Sequence, residues 1–252
     1  MPKKTKAKSH NSPSQTHGHG QGKDFHIEFI NSSQKIAWAA LQKHDITFLV
    51  GMAGTSKTFL AMAFAIQQLL AKEIDQIILT RPVVEAGESL GFLPGTAQEK
   101  LDPYMMPLYD AMDKLLGKQS PLREKVQASV KTIPLAYMRG LNFDNAVAIL
   151  DEAQNTTPTQ IKLFLTRLGK NSKIIVAGDP YQTDLMGNNA LPYYVNKLKE
   201  VPGIGIVEFK ESAIVRHPLI GKILEAIDGS NKSILENTSH CSEDNSEMYN
   251  QL

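Results

Sequence analysis

The sequence ITFLVGMAGTSKT, residues 46–58, decides the fold of this chain. It joins an apolar run, 46–50, to an octapeptide, 51–58, and a long apolar pattern of helical period begins at Phe59. A strand, a glycine-containing loop and a helix N-terminus in this order direct unpaired backbone N–H groups and the positive end of the helix dipole toward one point. The expected ligand is therefore a triphosphate.

The octapeptide has the residues that a P-loop requires. Such a loop needs glycine where the backbone approaches phosphate, a lysine that reaches the β- and γ-phosphates, and a hydroxyl for Mg²⁺. Ser56 stands where the pattern has its last glycine, and its side chain costs about 1 kcal/mol if that position needs a positive φ. The predicted nucleotide-binding residues of the loop are Gly51, Met52, Ala53, Gly54, Thr55, Ser56, Lys57 and Thr58.

Two further strand ends carry residues suited to the hydrolysis of a triphosphate. The apolar strand 146–150 ends in Asp151 and Glu152, and open parallel sheets bind ligands at the carboxyl ends of their strands. We expect Asp151 and Thr58 to hold Mg²⁺, and Glu152 to orient or deprotonate the attacking water. The run 173–177 opens into GDPYQ, which places Gln182 within reach of the γ-phosphate or of that water. Lys57, Glu152 and Gln182 are therefore predicted catalytic residues.

Three other residues are candidates for contacts with the nucleotide. Arg216, a further predicted catalytic residue, follows the last predicted strand, where a guanidinium could neutralise charge on the phosphoryl group in the transition state. Arg167 is the competing candidate, and a structural salt bridge is the alternative role for Arg216. Gln34, ahead of the loop, could recognise the adenine edge by paired hydrogen bonds, although an isolated glutamine is more often a solvated helix position.

Two arginines at predicted strand ends are candidates for nucleic-acid contacts. Arg81 follows the run 76–80, and Arg139 follows the predicted strand 132–138. Both guanidinium groups could bind a phosphate backbone, although solvated loop arginines are common.

Apolar runs alternate with helical patterns along the core of the chain. Runs buried on both faces are typical of a parallel sheet with helices on both sides, so the predicted class is α/β with a mostly parallel sheet. The predicted strands are 46–50, 76–80, 132–138, 146–150, 174–177 and 204–209. The predicted helices lie near 33–43, 58–71, 96–116, 121–130, 159–169, 189–199 and 218–227.

Composition limits the possible classes of protein. The chain has 252 residues, 42% of them hydrophobic, which is enough for one globular domain. Its net charge of +1 lacks the basic excess that by itself indicates nucleic-acid binding. Cys241 is the only cysteine, which excludes an internal disulfide and a thiolate zinc cluster.

The chain is expected to have three parts. Residues 1–23 read as a disordered basic tail, 24–228 as the folded domain, and 229–252 as a disordered acidic tail. The N-terminal lysines are not followed by an apolar core, so no secretory signal is predicted. No apolar run approaches the ~20 residues that cross a bilayer. A cytoplasmic protein without membrane contact is expected.

The motifs, in this order, resemble those of the PhoH-like proteins, the phosphate-starvation-inducible family of P-loop ATPases related to superfamily 1 helicases. The resemblance covers about residues 29–227. Family members normally have glycine where this chain has Ser56. The motifs that carry it are the loop 51–58, TRPVVEAGE at 80–88, LGFLPG at 90–95, DPY at 102–104, LDEAQN at 150–155, FLTR at 164–167, GDP at 178–180 with Gln182, and VRHP at 215–218.

The resemblance implies a RecA-like P-loop NTPase domain that binds ATP and Mg²⁺, is associated with RNA metabolism and assembles into rings. It also implies the family roles for Lys57, Thr58, Asp151, Glu152, Gln182 and Arg216. The compact length and short leader are similar to those of copies carried by bacteriophages, which would place the protein in the host cytoplasm.

The function expected from these observations is an ATP-hydrolysing motor or switch that acts on single-stranded RNA or on an RNA-processing partner. The core is long enough for only one RecA-like domain, so a second wall of the nucleotide site would come from another subunit. A cyclic homo-oligomer, such as a hexamer, is therefore expected, with Arg216 or Arg167 reaching the neighbour's ATP. The alternatives are a nucleotide-binding regulatory protein with little turnover and an RNA-binding ring whose ATPase is incidental. A small-molecule kinase is disfavoured, because Asp151 and Glu152 supply a water-activating acid.

Overall fold

The computed structural model describes Phe25 and residues 27–82, 97–182 and 189–210, with the backbone alone for residues 97–101. The strands are β1 (Ile46–Gly51), β2 (Gln76–Thr80), β3 (Val130–Thr132), β4 (Ala146–Leu150), β5 (Lys173–Gly178) and β6 (Ile204–Phe209). The helices are α1 (Ser32–Lys43), α2 (Lys57–Leu70), α3 (Ala97–Leu116), α4 (Pro121–Gln127), α5 (Pro158–Leu165) and α6 (Leu191–Leu198), with 3₁₀ helices at Leu135–Tyr137 and Ala153–Asn155. Within these ranges, no helix is both long and apolar enough to cross a bilayer.

The six strands form one parallel sheet in the order β3-β2-β4-β5-β1-β6. Successive residues of β1, β2, β4 and β5 enter two different cores, one on each face. Leu49 packs with Trp38 and Phe64 on the face covered by α1 to α4, where the two aromatic rings meet edge to face at 5.5 Å. Phe48 lies in the other core with Phe164, under α5 and α6. The predicted parallel sheet with helices on both faces is confirmed.

The strand order places β5 between β1 and β4. Val50 of β1 pairs with Gly178 of β5, and Leu150 of β4 pairs with Val176 of β5. Because parallel strands end at the same edge, the loop after β1 and the segments that follow β4 and β5 leave the sheet side by side. The three predicted functional segments are therefore neighbours in space.

Gly51 is required by the sheet as well as by the loop. Its φ is +147°, a conformation that residues with a side chain rarely adopt. A Cβ atom built on Gly51 would lie 2.6 Å from the carbonyl oxygen of Phe209, at the end of the neighbouring strand β6. Glycine is therefore needed here for the close approach of β6, independently of any phosphate.

The predicted strand 132–138 is wrong. The strand β3 is Val130–Thr132, and the following apolar residues form a 3₁₀ turn, Leu135–Tyr137, that begins after Pro134. Leu135 and Met138 are buried three residues apart, which is the spacing of a 3₁₀ turn and not the alternation of a strand. Proline interrupts a strand because it lacks the N–H that a ladder needs.

Several predicted helix ends also differ. The helix expected at 121–130 ends at Gln127, because β3 begins three residues later. The helix expected at 159–169 spans Pro158–Leu165, and the one at 189–199 spans Leu191–Leu198. The helix predicted at 218–227 and both predicted tails lie outside the described residues, so the domain limits remain a prediction.

Candidate nucleotide-binding site

An open cavity of about 320 Å³ lies at the carboxyl edge of the sheet. Its walls come from the loop after β1, the segments after β4 and β5, and one side of α3. Pockets for small ligands span roughly 300–1,000 Å³, so the cavity has the size of such a site. The structure brings together eight predicted site residues in its lining: Ala53, Gly54, Ser56, Lys57, Thr58, Asp151, Glu152 and Gln182.

Lys57 lies in the first turn of α2, with its ammonium group at the base of the loop. The ammonium donates hydrogen bonds to the carbonyl oxygens of Gly51 at 2.6 Å and Met52 at 2.8 Å, and to the hydroxyl of Thr55 at 3.3 Å. The Thr55 hydroxyl donates in turn to the Met52 carbonyl at 2.8 Å. A buried cation beside a helix N-terminus makes this part of the cavity favourable for an anion.

Ser56 has a positive φ, which is the conformation in which its side chain is expected to cost free energy. Its φ is 66° and its ψ is 21°, which is the left-handed region, and its side chain makes no capping hydrogen bond to α2. A side chain in this conformation costs roughly 1–2 kcal/mol relative to glycine. The loop therefore carries strain at the position that lines the cavity between Thr55 and Lys57.

Thr58 and Asp151 meet across the cavity although they are distant in sequence. The Thr58 hydroxyl donates to Oδ1 of Asp151 at 2.8 Å, and Asp151 is only 3% exposed. The pKa of Asp151 is raised to about 6, mainly by burial and next by the negative charge of Glu152, while the Thr58 hydrogen bond and Arg81 oppose part of the rise. A hydroxyl beside a buried carboxylate is an oxygen donor pair that suits Mg²⁺, so the residues present fit this ion.

Glu152 is held by two side chains. Its backbone is also left-handed, with φ 53° and ψ 42°. One carboxylate oxygen, Oε1, accepts from Arg81 at 3.0 Å, and the other, Oε2, accepts from the side-chain amide of Gln154. Arg81 donates with its second terminal nitrogen to the backbone carbonyl of Tyr104 in α3, at 3.1 Å. Arg81, predicted as a nucleic-acid contact, therefore lies at the edge of this cavity, beside Glu152.

Asp179 connects the segment after β5 to the loop. Its carboxylate accepts from the backbone N–H of Ala53 at 3.0 Å and from that of Tyr181 at 3.0 Å. The N–H of Asp179 donates to the side-chain oxygen of Gln154 at 3.0 Å. Sequence reasoning missed these roles of Asp179 and Gln154, although both residues lie inside the motifs that it identified.

Lys114 is a further cavity residue that the sequence did not indicate. It lies in the last turn of α3, its side chain is exposed, and it lines the cavity together with Pro107 and Ala111 of the same helix. A lysine at this place adds positive charge near the loop. No local motif signals it, because its position depends on how α3 packs beside α2.

Gln34 is not among the cavity-lining residues of the described chain. It lies in the first turn of α1, buried, and its side-chain oxygen accepts the backbone N–H of Ile30 at 2.7 Å. Its own N–H donates to the side chain of Asn31, which caps the helix. Gln34 thus shapes the start of α1, and adenine recognition stays a prediction.

The remaining predicted arginines lie away from the cavity or outside the described residues. Arg167 donates to the carbonyl oxygens of Leu163 at 3.3 Å and Leu141 at 3.0 Å, so its guanidinium joins the end of α5 to a neighbouring loop. Arg139 lies in an exposed turn seven residues after β3, because the strand expected to end beside it ends at Thr132. Arg216 falls outside the described residues, and its role stays a prediction.

Comparison with known proteins identifies a family. The family model described as "PhoH-like protein" matches residues 26–228. A PhoH-like protein of Bacillus subtilis is 47% identical over 213 residues, which are 84% of this chain and 66% of that protein. A PhoH-like protein of Synechocystis is 50% identical over 202 residues, which are 79% of this chain and 60% of that protein. The chain thus spans about three-fifths of the length of these relatives.

A solved structure supports the fold. The large terminase from a thermophilic bacteriophage matches 79% of this chain and 50% of its own length, with a TM-score of 0.50 and 10% sequence identity. At this identity the match concerns the fold alone. Together with the sheet order and the loop after β1, it confirms the predicted RecA-like P-loop architecture.

The buried carboxylate of Asp151 makes the stability of the fold depend on pH. Because its pKa rises from 3.8 to about 6 on folding, the folded chain binds the proton more tightly. Stability is therefore lost as pH rises from about 4 to about 6, by at most about 3 kcal/mol. In Mg²⁺-free buffer, Asp151→Asn removes the charge and keeps an oxygen for Thr58. It is expected to raise the free energy of unfolding at about pH 8 by up to this amount, with little effect near pH 4.

Urea unfolding of both chains at several pH values measures this effect. Asp113→Asn is the matched control, since Asp113 is a partly exposed carboxylate outside the cavity lining that pairs with Arg123 at 2.7 Å. Loss of that pair is expected to lower stability by about 0–1 kcal/mol. A destabilised Asp151→Asn chain at about pH 8 would contradict the assignment of a buried, uncompensated charge.

Proposed function

Because the chain belongs to the PhoH-like protein family, we propose that it binds ATP with Mg²⁺ at the loop after β1 and hydrolyses the terminal phosphate. The observation that carries this proposal is the 2.8 Å hydrogen bond between Thr58 and Asp151. It brings the last hydroxyl of the P-loop and the acid at the end of β4 to one point of the cavity that also contains Lys57. Both side chains would be needed there to hold the metal of a metal–nucleotide complex.

Each residue of the site has a defined task in this proposal. Lys57 and the N–H groups of residues 54–58 bind the phosphates, while Thr58 and Asp151 hold Mg²⁺. When bound there, Mg²⁺ would neutralise part of the negative charge on the phosphate oxygens. Glu152 orients a water and accepts its proton as the water oxygen bonds to the terminal phosphorus. The bond from this phosphorus to the bridging oxygen breaks, and ADP leaves. Gln182, exposed at the cavity rim, contacts the terminal phosphate or the water.

The RNA and assembly parts of the proposal have different support. Action on single-stranded RNA rests on the family resemblance, and on an arginine, Arg81, whose side chain at the cavity edge is 20% exposed. A ring, with six subunits as the expected number, would supply the second wall of the site, and Arg216 or Arg167 would then reach the neighbouring nucleotide. A bacteriophage origin, a cytoplasmic location and a link to phosphate starvation remain expectations from the resemblance.

The alternative function is nucleotide binding with little or no turnover, as in a regulatory protein. The left-handed backbone at Ser56 favours this alternative, because the serine side chain stands where the loop approaches the phosphates. A slightly displaced phosphate would still bind, but it would lie poorly for attack by water.

Substitutions of Lys57 and Glu152 should separate binding from hydrolysis. Lys57→Ala is expected to weaken ATP binding by roughly tenfold or more, since it removes a charge-assisted contact present in the ground state. Glu152→Gln should keep ATP affinity and lower kcat by roughly 10²–10⁴-fold. Calorimetric titration and phosphate release measure the two quantities. Lys197→Ala, at a surface lysine above the ring of Tyr193, is the control. Equal losses of binding in both site variants would contradict these roles.

The variant Ser56→Gly decides between hydrolase and regulatory protein. If the chain is a hydrolase, its phosphate release at saturating ATP should be within about tenfold of that of Ser56→Gly, because the strain is only about 1–2 kcal/mol. If the natural chain releases no phosphate and Ser56→Gly does, the result favours the regulatory protein. Lys72 is also left-handed, with φ 61°, and does not line the cavity. Lys72→Gly therefore shows how relief of backbone strain away from the cavity affects phosphate release.

Sedimentation with labelled single-stranded RNA tests assembly and RNA binding together. In the presence of a non-hydrolysable ATP analogue, we expect a hexamer that carries the RNA, and weaker RNA binding with ADP at the same salt concentration. The salt must be fixed because phosphate contacts are ionic. A monomer with nucleotide present would refute the ring. If RNA binds with the same affinity in the presence of the ATP analogue and of ADP, the result favours an RNA-binding ring with an incidental ATPase.

A further inference from the structure

Both carboxylate oxygens of Glu152 are engaged by other side chains of this protein. Oε1 forms an ion pair with Arg81 at 3.0 Å, and Oε2 accepts from the amide of Gln154. A left-handed backbone at a residue other than glycine persists only where surrounding contacts hold it, and these two contacts help to hold Glu152. The carboxylate therefore has a defined orientation toward β2 and α3.

This orientation conflicts with the role proposed for Glu152. To turn toward an attacking water, the carboxylate must break its contacts with Arg81 and Gln154. These two side chains therefore oppose the step that the carboxylate would perform. Gln154 extends the contact toward the P-loop, because its side-chain oxygen accepts from Asp179, whose carboxylate holds the N–H of Ala53.

Arg81 is placed where an outside anion can reach it. Its side chain is 20% exposed, and its two terminal nitrogens point to Glu152 and to the carbonyl oxygen of Tyr104. The same planar fork matches a phosphate group, so a phosphate and Glu152 compete for one guanidinium. If the carboxylate of an acidic peptide replaced that of Glu152 on Arg81, little binding free energy would be gained. A nucleic-acid backbone, in contrast, also releases condensed counter-ions when it binds. The geometry therefore favours a nucleic-acid phosphate over an acidic peptide.

We propose that Arg81 and Gln154 are positioning residues that hold Glu152 away from the attacking water, and that a phosphate of single-stranded RNA releases Glu152 by binding Arg81. The exchange breaks the contact between Arg81 and Oε1 and forms one to a phosphate oxygen, with no covalent change. The inference rests on the proposed ATP hydrolysis and adds its control by RNA.

Steady-state ATP turnover, with and without single-stranded oligouridylate at fixed salt, tests the inference. Arg81→Gln should raise the RNA-free kcat by roughly tenfold, the rate equivalent of one charge-assisted hydrogen bond, with KM for ATP unchanged. RNA should no longer stimulate this variant. Arg81→Lys keeps the charge without the fork, so it should retain part of the restraint and part of the stimulation.

The matched control is Arg123→Gln. Arg123 lies on α4 in an ion pair with Asp113, its side chain is 22% exposed against 20% for Arg81, and neither Arg123 nor Asp113 lines the cavity. This variant should behave as the natural chain does. Thermal unfolding of all variants, with and without ATP and Mg²⁺, shows whether a substitution prevents folding or only removes the restraint of Arg81 on Glu152. If Arg81→Gln does not fold, Arg81→Lys is used for the comparison of turnover.

The outcomes are distinct. An RNA-free kcat of Arg81→Gln that equals or falls below that of the natural chain, or RNA stimulation that survives the substitution, overturns the inference. Equal stimulation of the natural chain by polyglutamate overturns the assignment of the anion to a nucleic-acid phosphate. If the natural chain does not turn over ATP without RNA and Arg81→Gln does, the result supports the restraint of Glu152 by Arg81. If ATP and Mg²⁺ stabilise no variant against unfolding, the proposed ATP binding itself fails.

Discussion

The parallel pairing of β5 with both β1 and β4 is the constraint on which the site depends. Hydrogen bonds along these strands bring Val50, Leu150 and Gly178 to one edge of the sheet, where each chain segment must turn. The loop after β1 supplies the ammonium and backbone N–H groups, and the segment after β4 supplies two carboxylates. Because β5 lies between them, its following segment can contact both.

The two carboxylates at this edge differ in how far neighbouring groups offset their negative charge. Glu152 has the guanidinium of Arg81, whereas the buried carboxylate of Asp151 has mainly the hydroxyl of Thr58, and burial raises its pKa to about 6. A divalent cation with phosphate oxygens around it would offset this cost, since hard oxygen ligands and negative charge are what Mg²⁺ requires. The fold thus gives up stability at the point where a metal-bound nucleotide would restore it.

Backbone strain occurs at two positions of the same cavity. Ser56 and Glu152 are both left-handed without being glycine, and strain of this kind persists only where surrounding contacts determine the conformation. The N–H of Ala53 donates to Asp179, the N–H of Asp179 donates to Gln154, and the amide of Gln154 donates to Glu152. These hydrogen bonds connect the loop to Glu152 through the segment after β5, along a path that does not run through the sheet.

The sequence by itself determined the residue types of the site and the class of the fold. Both are local properties: the spacing of Lys57 and Thr58 in the loop, the acids at the end of β4, and apolar runs that only a sheet covered on both faces can bury. It failed at 132–138, where Pro134 and a three-residue burial spacing produce a turn in place of a strand. Only the tertiary structure decided that Arg81 pairs with Glu152, that Asp179 holds the loop, and that Lys114 lines the cavity. These contacts depend on which strands are neighbours and on how α3 packs, and strand order is set by the packing of the whole sheet.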